Sequence, residues 1–137
     1  MGYDAHITRA EHWPDTSGVE IQAEEWLSIV RSDPDMIIAP EHGAYFAIWR
    51  GTVEEPEVWF DWHQGNVFTK NPDEPTLAKM IQLAERLDAR VQGDDGDMYD
   101  RQNIVKQNNV WVYADTQTAA SQEAQSSFWK RLLRRLR

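Results

Sequence analysis

The stretch Val58-Trp59-Phe60-Asp61-Trp62-His63-Gln64-Gly65-Asn66-Val67-Phe68-Thr69-Lys70 reads as a β-hairpin. Two runs rich in β-branched and aromatic residues flank Gln64-Gly65, where the glycine supplies the positive φ of a tight turn. Alternation along the first strand sends Val58, Phe60 and Trp62 toward a core, and Trp59, Asp61 and His63 to the opposite face. Immediately downstream, Leu77, Met80, Ile81, Ala84 and Leu87 make one apolar stripe at helical spacing, predicting a helix over 73–90. Asn71-Pro72 stands ahead of it as cap and first-turn proline. The stripe is read as core.

Upstream, residues 3–10 alternate as a half-buried strand, with Tyr3, Ala5 and Ile7 on one side and Asp4, His6 and Thr8 on the other. Ala23, Trp26, Leu27 and Val30 predict a helix over 22–33, ended by Asp33-Pro34 because the residue before proline leaves the α region. Gln22 stands where a Ser or Thr cap is more usual. Met36 to Ala39 and Ala44 to Trp49 read as strands, with a turn region from Gly51 to Pro56. Val91 to Tyr99 reads as a second hairpin around Gly93-Asp94-Asp95-Gly96, and Val110 to Tyr113 as a last strand. The expected fold is α+β: a mainly antiparallel sheet of about five to six strands packed on two helices, with a C-terminal amphipathic helix. The expected organisation is an α+β domain over 1–114, a polar linker over 115–127 and a basic amphipathic helix over 128–137.

The 137 residues fit one domain. The formal net charge is −9, and it is unevenly spread: Lys130, Arg131, Arg134, Arg135 and Arg137 close the chain. Residues 1–129 therefore hold 9 cations against 23 acids, a balance of −14. So acidic a body repels nucleic acid and attracts basic partners. With no cysteine, thiol catalysis and cysteine-ligated zinc are excluded. The opening residues show no secretory h-region and no stretch is apolar enough for a membrane span, so the expected compartment is the cytoplasm.

Asp94, Asp95, Asp97 and Asp100 crowd around Gly96 without the spacing of a calcium loop, and are read as turn chemistry. His6, His12, His42 and His63 form no HExxH or HxH pair. Asp4 and His6 share a strand face and are read as a solvent-facing pair, with an Asp/His site as the alternative. There is no GxSxG elbow, P-loop or GxGxxG. The expectation is therefore no catalytic residues, no metal and no cofactor. Of the set Trp49, Trp59, Trp62 and Trp111, one reading is packing of the sheet against helices and loops. The other makes Trp59 and His63, beside acids, a recognition surface. Candidate partner-binding residues are Trp59, Asp61, His63, Asp94, Asp95 and Asp97.

Residues Tyr3-Asp4-Ala5-His6-Ile7-Thr8-Arg9 resemble the opening strand, YDxHITR-like, of a group of small bacterial proteins. The resemblance continues at Glu24-Glu25-Trp26-Leu27, Ser32-Asp33-Pro34-Asp35-Met36, Lys70-Asn71-Pro72-Asp73-Glu74 and Ala89-Arg90-Val91-Gln92-Gly93-Asp94-Asp95-Gly96. Some such small acidic proteins look like immunity proteins that neutralise toxins delivered between competing cells. What the resemblance implies is a stoichiometric inhibitor that covers the active site of a cognate toxin or effector, which charge suggests is basic. The alternatives are a metal-dependent hydrolase using His6, Asp4 and the Asp94–Asp100 cluster, and a membrane-surface adaptor acting through 128–137. That basic helix suits an anionic membrane, a partner groove, the acidic body or a second copy equally.

Overall fold

A computed structural model describes residues 3–50, 57–99, 103–107 and 110–114. The elements in chain order are β1 (Asp4–Thr8), α1 (Ala23–Ser32), β2 (Met36–Ile38), β3 (Ala47–Trp49), β4 (Val58–His63), β5 (Asn66–Lys70), α2 (Glu74–Arg86), β6 (Arg90–Gly93), β7 (Met98–Tyr99), β8 (Ile104–Gln107) and β9 (Val110–Tyr113). The linker and basic helix expected over 115–137, Asp100, and the turn region from Gly51 to Pro56 lie outside the described residues.

The α+β architecture is as expected, with seven strands in the main sheet rather than five to six. Their order is β2-β3-β4-β5-β1-β6-β7, and β8 and β9 form a separate ribbon. Every neighbouring pair is antiparallel. The 58–70 hairpin forms at the predicted register, His63 opposite Asn66. Its turn residues Gln64 and Gly65 both have positive φ, 50° and 87°, as a primed turn requires. The strand expected from Ala44 begins only at Ala47, because 40–45 turn back through Gly43 at φ 156°.

One face of the sheet meets both helices. Ala5, Ile7, Phe60 and Val67 come from the central strands, with Trp26 and Val30 from α1 and Met80, Leu83 and Ala84 from α2. Val58 and Trp62 pack at its margin, as alternation predicts. The ribbon packs on α2, and Tyr113 of β9 joins the same core. No described helix is long and apolar enough to cross a membrane.

Helix ends correct three expectations. The α2 cap is Asp73, not Asn71: its carboxylate accepts from the Thr76 backbone N–H at 3.0 Å and from the Thr76 hydroxyl. The first-turn proline is Pro75, not Pro72. Helix α2 stops at Arg86 rather than 90, since Asp88 takes a left-handed φ of 55° and β6 starts at Arg90. At α1, Glu25 accepts from the Gln22 N–H at 3.0 Å, the N3 half of a capping box. Glu25 also holds Arg9 at 2.8 and 3.0 Å. Those bonds draw its carboxyl down to about 2.

Candidate functional site

The polar residues lie on the sheet face turned away from the helices. Across four adjacent strands one row is in register: Asp61 opposite Phe68, Phe68 opposite His6, and His6 opposite Gln92. One step along, His63 faces Asn66; on the other side, Lys70 faces Asp4.

Residues 9–20 cross this face and convert it from a flat sheet into a cleft. Trp13 stacks on His6, with ring centroids 3.7 Å apart and planes 5° apart. Gln92, itself buried, clamps the crossing segment. Its Oε1 accepts from the Trp13 N–H at 2.7 Å and its Nε2 donates to the Glu11 carbonyl at 2.7 Å. Asn66 Nδ2 donates to the Trp13 carbonyl at 2.6 Å, and the Trp13 indole N–H donates to the Asp94 carbonyl at 3.2 Å. His6 is consequently only 6% exposed, which corrects the reading of Asp4 and His6 as a solvent-facing pair. The cover comes from a segment whose anchoring bonds span 53 to 81 residues of sequence.

Gln92→Leu removes both clamp bonds and leaves a backbone N–H and a carbonyl without partners. The expected loss is about 1–3 kcal/mol in chemical denaturation, from two lost hydrogen bonds at about 0.5–1.5 kcal/mol each. An unchanged midpoint would mean that the clamp carries no stability.

Asp94 reaches from the β6–β7 turn back to β1. Its Oδ1 lies 3.0 Å from His6 Nε2, and its Oδ2 accepts from the Asp4 N–H at 2.9 Å. Burial pushes its carboxyl up, but the bonds from His6 and the Asp4 N–H outweigh burial and hold it below the ordinary value. Asp95 serves its own turn, accepting from the Asp97 N–H at 3.3 Å beside Gly96 at φ 90°. Reading this acidic run as turn chemistry describes Asp95 and Gly96 well, whereas Asp94 is drawn into contact with His6.

The six candidate residues thus form two groups. Trp59, Asp61 and His63 project from β4, and Asp94, Asp95 and Asp97 sit at the β6–β7 turn. They are separated by three strand spacings, about 14 Å. Between them lies a cleft of about 250 Å³ walled by Asp4, His6, Trp13, His63, Asn66 and Phe68. At its β4 side, Trp59 stacks on Phe46 at 5.3 Å and meets the Phe68 edge at 5.6 Å. Asp61 is partly buried beside Phe68 and accepts from the Trp62 N–H at 2.9 Å. Among the described residues no lysine or arginine pairs with it. Burial pushes its carboxyl up, beyond what the Trp62 N–H and nearby His63 offset.

No family model matches this chain, and no curated protein or solved structure matches it either. The cleft presents carboxylates, imidazoles and aromatic faces together, a set suited to a cationic group with N–H donors. Of the remaining tryptophans, Trp49 is buried in the core, and Trp62 faces the core with its indole N–H donated to the Ile21 carbonyl. Trp111 is 48% exposed on the ribbon, away from the cleft strands. Trp13, Asn66 and Gln92 were not among the candidates. The available signal was a tryptophan inside a polar, proline-containing loop, and two amides on strand positions that alternate onto the His6 face.

Proposed function

We propose that the chain is a stoichiometric binding protein that captures a basic protein partner on this sheet face, as an immunity protein covers the active site of a toxin or effector. The observation that carries the reading is Asp61: a partly buried carboxylate opposite Phe68 of the cleft wall, paired with no lysine or arginine among the described residues. An ionised group in that position is unfavourable in the free protein, and a cation brought by a partner relieves it. Trp59, Phe68 and Trp13 give the flat apolar contacts that anchor interfaces, and the −14 body draws a basic partner in. The acidity also argues against a nucleic-acid partner.

The reading predicts opposed effects of one substitution. The Asp61 carboxyl is raised in the fold, so its ionisation costs stability above that raised value and costs nothing below the unfolded value of 3.8. Asp61→Asn is expected to raise the thermal midpoint at pH 7, with the gain vanishing as pH falls below the carboxylate range. It is also expected to weaken partner binding at least ten-fold. A variant that is more stable and binds equally well would remove Asp61 from the interface. The reading as a whole is tested by co-expression with the protein encoded by the neighbouring gene. The expected result is growth rescue and a 1:1 complex; neither appearing would refute it.

A further inference from the structure

We propose that Asp4, His6 and Asp94 form a binding site for a divalent transition metal, Zn²⁺ or Mn²⁺, beneath Trp13. The donor atoms of the three side chains all lie within 4.8 Å of one another. Tetrahedral ligands about 2.1 Å from a metal stand about 3.4 Å apart, so the 3.0 Å between His6 Nε2 and Asp94 Oδ1 is already near a ligating pair. Asp4 needs only a side-chain adjustment to complete the set.

Its construction follows from the fold. Strand alternation places Asp4 and His6 on the same face of β1, at i and i+2. The β6–β7 turn brings in Asp94, whose Oδ2 is fixed by the Asp4 N–H, leaving Oδ1 turned to the imidazole. Stacking against Trp13 fixes the plane of the His6 ring. Ligand orientation is thus set before any metal arrives, as the outer shells of metal centres do. One imidazole with two carboxylates neutralises a dication and suits zinc or manganese. Lys70 Nζ, 3.5 Å from Asp4 Oδ1, is the cation now beside the carboxylates, and its side chain is 56% exposed and free to swing away.

A second observation points to an occupant of the same cleft. Asn66 is 93% buried, its Nδ2 is committed to the Trp13 carbonyl, and its Oδ1 has no hydrogen-bond partner. An orphaned acceptor on a cleft wall needs a donor from what fills the cleft. Three protein ligands leave a metal one open position, for water or a group entering the cleft. The proposal stands apart from the protein-partner reading, which rests on Asp61, and either can fail alone.

The test is calorimetric titration of the full chain, first stripped with chelator, with ZnCl₂ and with MnCl₂. The expected result is one ion per chain for at least one metal, with affinity falling at least ten-fold in His6→Gln and in Asp94→Asn. Because His6 is buried, Lys70→Met gives an independent reading from an exposed position. It removes a competing cation and is expected to tighten binding. The double variant His12→Ala/His42→Ala is expected to bind as the wild type does. Absence of uptake of both metals overturns the proposal. So does uptake that survives Asp94→Asn but is lost in the His12/His42 double variant, which would mark adventitious surface histidines.

Discussion

Lys79→Met is expected to destabilise the protein by about 3–5 kcal/mol, the cost of leaving a buried charge without its partner. Lys79 Nζ lies 2.6 Å from Asp33 Oδ2, and the side chains are 8% and 7% exposed. Asp33 closes α1, where its other oxygen accepts from the Asp35 N–H at 2.9 Å, so the pair ties α1 to α2. Arg86, at 3.7 Å and more exposed, replaces part of the lost attraction, placing the effect toward the lower end of the range. Burial pushes the Asp33 carboxyl up, but Lys79, the Asp35 N–H and Arg86 together hold it below its ordinary 3.8. The stability this contributes is present above 3.8 and is lost as pH falls through the depressed value. In Lys79→Met that contribution is lost, so the gap to wild type should narrow on acidification. The double variant Asp33→Asn/Lys79→Met should recover much of the loss, because no unpaired charge remains. Urea denaturation of wild type, Lys79→Met and the double variant decides it. A double variant as weak as Lys79→Met would mean that packing of the lysine stem, not charge, is what was removed.

Phe60→Ala is expected to cost about 3–5 kcal/mol through the lost burial and the cavity left behind. Phe60 has no exposed surface and packs in the core shared by the sheet and both helices. Its neighbours in β4 are Trp59 and Asp61, which point the other way. Below its lowered midpoint the variant should therefore keep partner affinity within about three-fold of wild type. Asp61→Asn should show the reverse, with stability gained and affinity lost. The two substitutions separate the inner face of one strand from its outer face. If Phe60→Ala lost affinity while fully folded, the division of β4 into a core side and a contact side would be wrong.

That division was legible from alternation alone. Phe60 is buried where the pattern places it, and Trp59 and His63 share the other face with Asp61. The α2 stripe was equally clear, since Leu77, Met80, Ile81 and Ala84 recur at helical spacing and all are buried. Local competition hid the helix ends. Asn71 and Asp73 are both good capping residues, and only the backbone decides between them; Asn71 adopts a left-handed φ of 48° in the turn. The short edge strands β2 and β7, of three and two residues, carry too little periodicity to count reliably. Strand β8 was not foreseen because Ile104-Val105-Lys106-Gln107 alternates too briefly to stand out beside β9.

The site was less legible than the fold because its central contacts are long-range. His6 reads as a solvent-facing histidine until Trp13 lies across it, and that placement depends on Gln92 and Asn66, far along the chain. Asp94 reads as one turn aspartate among several until β6 pairs with β1 and sets it beside the imidazole. Polar residues on a strand face carry no signal for what crosses above them.

Charge reversal in the complex decides whether this acidic face captures a basic partner through Asp61. Wild type and Asp61→Lys are each titrated against the purified product of the neighbouring gene, at low and at high salt. The expected result is 1:1 binding by wild type that weakens with salt, and loss of at least a hundred-fold in affinity for Asp61→Lys with the fold intact. Binding that is unchanged by the reversal, or no binding by the wild type, would contradict it.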